Sequence, residues 1–415
     1  MHVPGHSLGS VAFPWAEDVR TMPRMPDLPC GLAQLDDLNS VRSFACNELH
    51  SSVALRRFVD GVTKVMVDRC YELAVAPGPD TNVVLHAIDA DAPRPYRRKA
   101  APTFVIAIAE TAEPPADNAT LLRVGYPLLV RALANLCVLV SDTPDGLAVR
   151  FVTLEQGTYG VGPGLSDAAL CESAFERIAP LASSRLIITN DTITDLPAHL
   201  WNGDEQTHQM LDAGRALDNL DLLPAPFPLE EILAPRELRH VQLLYGIGGL
   251  SYGNVSARYH GTDIDPIGDP DGPVYWMSAS GVDKSDLRAI GEHILLVRGY
   301  DPSRDAMILS APPDVPTRRV SVDAIEHWMI YRAHPAVGAI LHVHGWIDGT
   351  VSTDVNYPCG TVNLAAAVAE LVRHASDPTH AVIGLRNHGL TITGSSLTEI
   401  FDRVGDQITP RVPME

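Results

Sequence analysis

The stretch Ala336–Trp346, AVGAILHVHGW, constrains this chain more than any other. Apolar residues on both sides of a glycine predict a buried strand, and two histidines separated by one valine stand near its end. Side chains alternate between the faces of a strand, so His342 and His344 point the same way. Two imidazoles side by side on a rigid element are half of a metal site. An isolated His-x-His pair reads as readily as two core or surface histidines. Two further features bear on the choice: His388 in the Asn387-His388-Gly389 turn, and an acidic helix start at Asp323.

A chain of 415 residues has room for two or three domains, each with its own core. The most apolar long stretch, Thr120 to Ser141, carries Arg123, Arg131, Asn135 and Pro127. It reads as a core helix running into a strand rather than a membrane span. The first twenty residues have neither the basic start nor the apolar run of an export signal. Cys30, Cys46, Cys70, Cys137, Cys171 and Cys359 lack Cys-x-x-Cys spacing, and several read as buried thiols of a reducing compartment. The expected location is therefore cytoplasmic. A formal net charge of -20 repels nucleic-acid phosphates and anionic membranes, so neither is an expected partner. A small anionic substrate would need a local positive cluster or a metal to overcome that field.

Taken in order, residues 1–45 are rich in Pro, Gly, Met and Asp and read as an extended arm. Residues 46–222 alternate apolar runs with helix-like segments, the pattern of an α/β domain of unknown type. The predicted strands are Val83–Asp89, Thr103–Glu110, Cys137–Asp142, Ala148–Leu154 and Arg185–Asp191, and Asp167–Leu181 has helical spacing. Two segments there bear on ligand binding. The basic run Pro93–Lys99 reads by default as a solvated loop, with an anion site as the alternative. The glycine-rich Gly157–Gly164 lacks the dinucleotide and P-loop patterns and reads by default as a flexible loop. His199, Asp204, Glu205 and His208 cluster without ligand spacing. Four prolines in or beside residues 223–235 predict a stiff linker, after which 236–415 form one further domain.

That domain opens with a predicted helix from Arg236 to about Tyr245. The segment GIGGLSYGNVSARY follows, whose Gly253-Asn254 can offer an amide and a side chain to a ligand. A strand then ends at the small turn Ser280-Gly281. Next comes a helix for which Ser321 is the expected N-cap and Asp323 a first-turn carboxylate favoured by the helix dipole. It stops before Pro335, and the strand with His342 and His344 follows.

Together and in this order, these pieces resemble the class II aldolase/adducin-like family. The matching motifs are Gly253–Ser256 (GNVS), Ser280-Gly281, Asp323, His342–His344 (HVH) and Asn387–Gly389 (NHG), over about 235–394. Asp323 also precedes His342 by nineteen positions, the family's usual offset. The resemblance implies an α/β/α fold with a central, mainly antiparallel sheet. It implies a divalent metal on His342, His344 and His388, most commonly Zn2+, with Fe2+ and Mn2+ as the other candidates. Asp323 is implied as the acid/base, and Gly253, Asn254, Ser280 and Gly281 as the groups that bind the substrate. The implied substrate is a small hydroxy-carbonyl compound, phosphorylated or carboxylated. The implied assembly is a homo-oligomer, a tetramer or dimer. The chemistry agrees: a three-histidine metal keeps open positions and stabilises an enediolate, while a nearby carboxylate moves protons.

Two departures stand out. The acid follows Ser321-Val322 where many sugar-phosphate aldolases have two serines. The tail after the NHG turn is also too short for the long C-terminal helix that supplies a partner-subunit tyrosine in some relatives. A carbon–carbon lyase is the leading expectation. Decarboxylation, epimerisation, dehydration and iron-dependent oxygenation are alternatives on the same fold, and a metal-free oligomerising module is the non-enzymatic one. Glu326 is the alternative acid, while His327 and His334 read as structural.

Overall fold

The computed structural model describes residues 42–47, 52–100, 103–153, 158–183, 187, 189–222, 228–239 and 252–414. Nearly all of the expected N-terminal arm lies outside them. So does most of the helix expected from Arg236, which is helical over 235–239 as far as it is described.

The first sheet is built from β1 (Ser43–Asn47), α1 (Val53–Asp68), β2 (Glu72–Leu73), β3 (Val83–Ile88), β4 (Phe104–Glu110), α2 (Asn118–Ala132), β5 (Leu136–Thr143), β6 (Gly146–Thr153), β7 (Thr158–Val161) and α3 (Asp167–Ser183). Its strand order is β2-β1-β3-β4-β5-β6-β7, parallel from β2 to β5 and antiparallel from β5 to β7. Strands buried on both faces read as continuous apolar runs, and alternate residues serve opposite cores. Val83, Leu85, Ile106 and Ile108 join Phe58 of α1 and Phe175 of α3 on one face. Val84, Val105 and Ala107 join Leu122 and Tyr126 of α2 on the other.

The second unit comprises β8 (Thr189–Ile193), α4 (Glu205–Asp218), α5 (Leu229–Ile232), β9 (Gly253–Arg258), β10 (Tyr275–Ser278), β11 (Ile294–Asp301), β12 (Ala306–Ser310), α6 (Ala324–Ala333), β13 (Ala339–Val343), α7 (Val362–His374), β14 (Val382–Leu385), β15 (Gly389–Gly394) and α8 (Leu397–Val404). The strand order is β14-β15-β13-β9-β10-β11-β12-β8. Every pairing is antiparallel except β12 with β8. This is the mainly antiparallel sheet expected, with α6 and α7 packed on each other beside it. The apolar stripe of α7, Leu364, Ala365, Val368 and Val372, faces that core. Thr361 caps its start by accepting from the Leu364 amide.

Two expectations need correction. The strand sought in 185–191 does not sit in the first sheet: β8 pairs with β12 in parallel and covers an edge that would otherwise be open. Leu196, Leu200, Met210 and Leu217 follow it into the second core. The boundary between sheets therefore falls ahead of β8 and not in the Pro-rich segment. Within that segment α5 folds back, and Leu229 and Leu233 close the outer face of the first sheet against α2. The second correction concerns the glycine-rich segment. Gly157 lies outside the described residues, but Thr158–Val161 form β7, an ordered strand on β6. A Cβ at Gly160 would strike the Arg150 side chain, so its glycine serves close packing.

The boundary has a measurable consequence. A fragment 228–415 is expected to be poorly soluble, because it lacks β8, which covers the β12 edge, and α4 with its buried Met210, Ala213 and Leu217. A fragment 184–415 is expected to fold. Soluble yield and cooperative thermal unfolding of the two fragments decide this, and equal behaviour would place the boundary back at the prolines.

Candidate metal centre

The site forms where β13, β9 and the β14–β15 turn meet. Asn254 on β9 pairs across with His342 on β13, and His342 pairs with Thr391 on β15. Glycine makes both approaches possible. Gly253 has φ +152°, and a Cβ there would lie 2.1 Å from the His342 carbonyl oxygen. At Gly389 a Cβ would lie 2.1 Å from the Val343 carbonyl oxygen. Asn387, at φ 58°, supplies the left-handed turn that carries His388 toward the strand.

The three histidines converge. Their ligand atoms all lie within 4.8 Å of one another. His342 and His388 are stacked at 5.1 Å, and His344 stands edge-on at 5.3 Å from the first and 4.8 Å from the second. The His342 Nδ1–H donates to the Leu390 carbonyl at 3.0 Å. That bond leaves Nε2 as the free lone pair, and this buried atom has no hydrogen-bond partner. Burial lowers the His342 pKa to about 4, so the ring is a neutral ligand at ordinary pH.

Asp323 faces this group. It occupies the N-cap position of α6, where Ser321 was expected, yet its side chain makes no capping bond. Instead Oδ2 accepts from Asn254 Nδ2 at 2.7 Å and lies 4.0 Å from His342 Nε2. Burial raises the Asp323 pKa, opposed in part by His388 and Asn254. One turn on, Glu326 is buried and accepts from Thr391 Oγ1. Burial first, then the Asp323 charge, raises its pKa to about 8. His327 is not drawn into the trio. Its Nδ1 lies 2.8 Å from Ser256 Oγ, which also contacts the Tyr331 hydroxyl. His334 also stays out of it, following the end of α6.

The donor set fits a divalent cation. Three imidazoles converge beside two buried carboxyl groups, and His342 Nε2, Asp323 Oδ1 and Glu326 Oε2 all lack hydrogen-bond partners. Leaving buried polar atoms unpaired costs about 1–3 kcal/mol each, and more for charged groups. A cation at the histidine lone pairs would offset much of that cost.

Ser280 and Gly281 form the exposed turn after β10. The Ser321 N–H donates to the Ser278 carbonyl, which places this turn at the Asp323 end of α6. Sequence reasoning passed over Lys284, which lies buried there. Its Nζ donates to the carbonyls of Ala279 and Val282, and burial lowers its pKa to about 8. It also passed over Cys359 as a site residue; a cysteine between Pro358 and Gly360 just ahead of a helix was the available signal. The other candidates are accounted for elsewhere. Arg98 donates to Thr103 and Asn135, and Lys99 to the Pro77 carbonyl. Asp204 caps α4 and accepts from Trp276, while His199 pairs with Asp263. The first sheet does approach the site: the Thr158 carbonyl is 3.5 Å from Asn387 Nδ2, and half-buried Tyr159 abuts Asn356.

The raised Glu326 pKa predicts a pH dependence in the metal-free protein. Between about pH 4.5 and about 8 the folded state keeps a proton that the unfolded chain has released. Stability therefore falls as pH rises through that window. Glu326→Gln is expected to flatten the fall in denaturant titrations, and an unchanged slope would assign it to other groups.

Residues 238–353 match the family model described as Class II Aldolase and Adducin N-terminal domain. The match includes Asn254, Asp323, His342 and His344 and ends before His388. No curated protein matches the chain. Among solved structures, L-fuculose 1-phosphate aldolase is 15% identical, with 51% of this chain and 84% of that one covered at a TM-score of 0.33. YgbL from Klebsiella pneumoniae is 19% identical over 49% and 84%, at 0.29. The N-terminal class II aldolase domain of a conserved Thermoplasma acidophilum protein is 16% identical over 48% and 89%, at 0.30. Likenesses of this size carry no information on substrate.

Proposed function

We propose, from the premise that the C-terminal part of the chain is a class II aldolase/adducin-like domain, that this protein is a metal-dependent carbon–carbon lyase of the aldolase type. The observation that carries the reading is the unpartnered His342 Nε2, which converges with His344 and His388 and faces the Asp323 carboxylate at 4.0 Å. His342, His344 and His388 hold the ion, zinc by preference, with iron(II) and manganese(II) as the other candidates. When bound, the ion supplies Lewis-acid stabilisation of the negative charge that develops on a hydroxy-carbonyl substrate's oxygens.

The chain's own groups do the rest. Asp323, with its pKa raised by burial, accepts a proton from substrate carbon or oxygen and returns it. Asn254 donates to Oδ2 and so orients the carboxylate. Gly253, Ser280 and Gly281 shape the opening at the same end of α6, where an anionic substrate group is held; the buried Lys284 ammonium offsets the acidic background there. β7 forms the far wall beside Asn387. The protein works as a homo-oligomer, a dimer or tetramer, in the cytoplasm.

Metal analysis of the purified protein, followed by incubation with small hydroxy-carbonyl compounds with and without oxygen, tests this reading. About one divalent ion per chain and oxygen-independent cleavage are expected. Iron with oxygen consumption would replace the lyase by an oxygenase. An absence of metal would leave an oligomerising module.

A further inference from the structure

We infer that Cys359 is a fourth protein ligand of the metal held by His342, His344 and His388. The inference rests on the metal-centre reading above and adds a sulfur donor to it.

Cys359 Sγ lies 3.0 Å from His388 Nε2, and the residue is buried, 7% exposed. It also lies against the Asp323 carboxylate. The thiol thus lies beside His388 and the acid, at the edge of the histidine trio. A tetrahedral ion with Zn–N of about 2.0–2.1 Å and Zn–S of about 2.3 Å sets nitrogen and sulfur roughly 3.5 Å apart. The observed separation is within half an ångström or so of that.

Independent of the thiol, the His342 Nε2 lone pair is buried without a partner and sits in the same cluster. An unused lone pair, a nearby imidazole pair and a sulfur within van der Waals reach of one of them make a donor set of three nitrogens and one sulfur. The loop carrying the cysteine is also held in place. The Ile187 N–H donates to the Gly360 carbonyl at 2.7 Å, Thr361 Oγ1 donates to the Pro358 carbonyl at 2.7 Å, and Thr361 caps α7. Cys359 therefore sits between two anchored positions, with its sulfur held beside His388.

Coordination takes the thiol as thiolate, its proton passing to solvent as the ion enters. A thiolate is a soft donor, so its presence favours zinc or cobalt(II) over manganese(II) or magnesium. It also leaves the site closed in its resting state. Substrate must then enter by expanding the coordination or displacing a ligand.

Cobalt(II) substitution of the full-length protein tests this. Tetrahedral cobalt shows visible d–d absorption, and sulfur ligation adds a near-ultraviolet charge-transfer band. Both are expected in the wild type. Cys359→Ser is expected to lose the near-ultraviolet band and keep the d–d absorption. Strong d–d absorption without the near-ultraviolet band in the wild type overturns sulfur ligation and leaves the three-histidine centre standing. No cobalt absorption at all overturns both. Should Cys359→Ser fail to fold, X-ray absorption of the zinc-loaded wild type decides instead. A sulfur scatterer at about 2.3 Å is the expected result, and a shell of only nitrogen and oxygen the contrary one.

Discussion

His342→Ala is expected to emerge from purification without bound metal and without activity. The side chain contributes the trio's buried, neutral nitrogen that lacks a hydrogen-bond partner, so a lone pair aimed at the ion is lost with it. Losing even an outer partner of a metal ligand costs about 10–100-fold in affinity. Losing the ligand itself should cost at least that, measured by competition with a chromogenic chelator. Folding also suffers, because the Leu390 carbonyl loses its donor and a cavity opens. Together these are worth roughly 2–4 kcal/mol. His344→Ala separates the two effects. This residue is only half-buried, so metal should be lost with less damage to unfolding temperature. Retained metal at wild-type affinity in both variants would remove the trio from the site.

Asp323→Asn should do the opposite: keep the metal and lose the reaction. The carboxylate lies 4.0 Å from His342 Nε2 and makes its hydrogen bond to Asn254 rather than to the helix it begins. An amide of the same shape can turn its oxygen toward Asn254 and preserve the fold. It cannot carry a proton. General acid–base catalysis of this kind contributes about 10²–10⁴-fold, and a drop of that size in turnover is expected with metal content unchanged. Full activity in the variant would move the role to Glu326, whose pKa is raised to about 8 by the same burial.

Much of this centre is legible in the sequence because its chemistry is local. His-x-His on a strand puts two rings on one face whatever the rest of the chain does. Asn387-His388-Gly389 combines a residue that tolerates the left-handed region with one that permits close backbone approach, so the third ring's turn can be anticipated. What the sequence hides is long-range. Cys359 reaches His388 across 29 residues through a loop whose anchor, Ile187, comes from the segment leading into β8. The Pro358-Cys359-Gly360 segment ahead of a helix marks the residue, but nothing in local spacing announces its contact with His388. β8 was misplaced for a related reason. Its polar, largely exposed sequence carries no core pattern, and the choice of sheet depends on which open edge, here β12, it meets. The N-cap of α6 is a subtler case. Ser321 and Asp323 have equivalent capping chemistry; Asp323 takes the position, and its carboxylate turns to Asn254 instead of the helix amides.

The most direct test of the central claim, that these residues together labilise a carbon-bound proton beside a carbonyl, is isotope exchange. Metal-loaded protein is incubated in D2O with a small panel of hydroxy-carbonyl compounds, bearing phosphate, carboxylate or neither, and the carbon-bound protons are followed by NMR. The wild type should wash deuterium into the carbon next to the carbonyl of at least one compound. Asp323→Asn, equally metal-loaded, should do so about 10²–10⁴-fold more slowly. Wild-type protein that holds its metal but exchanges no proton in any of them would contradict the account.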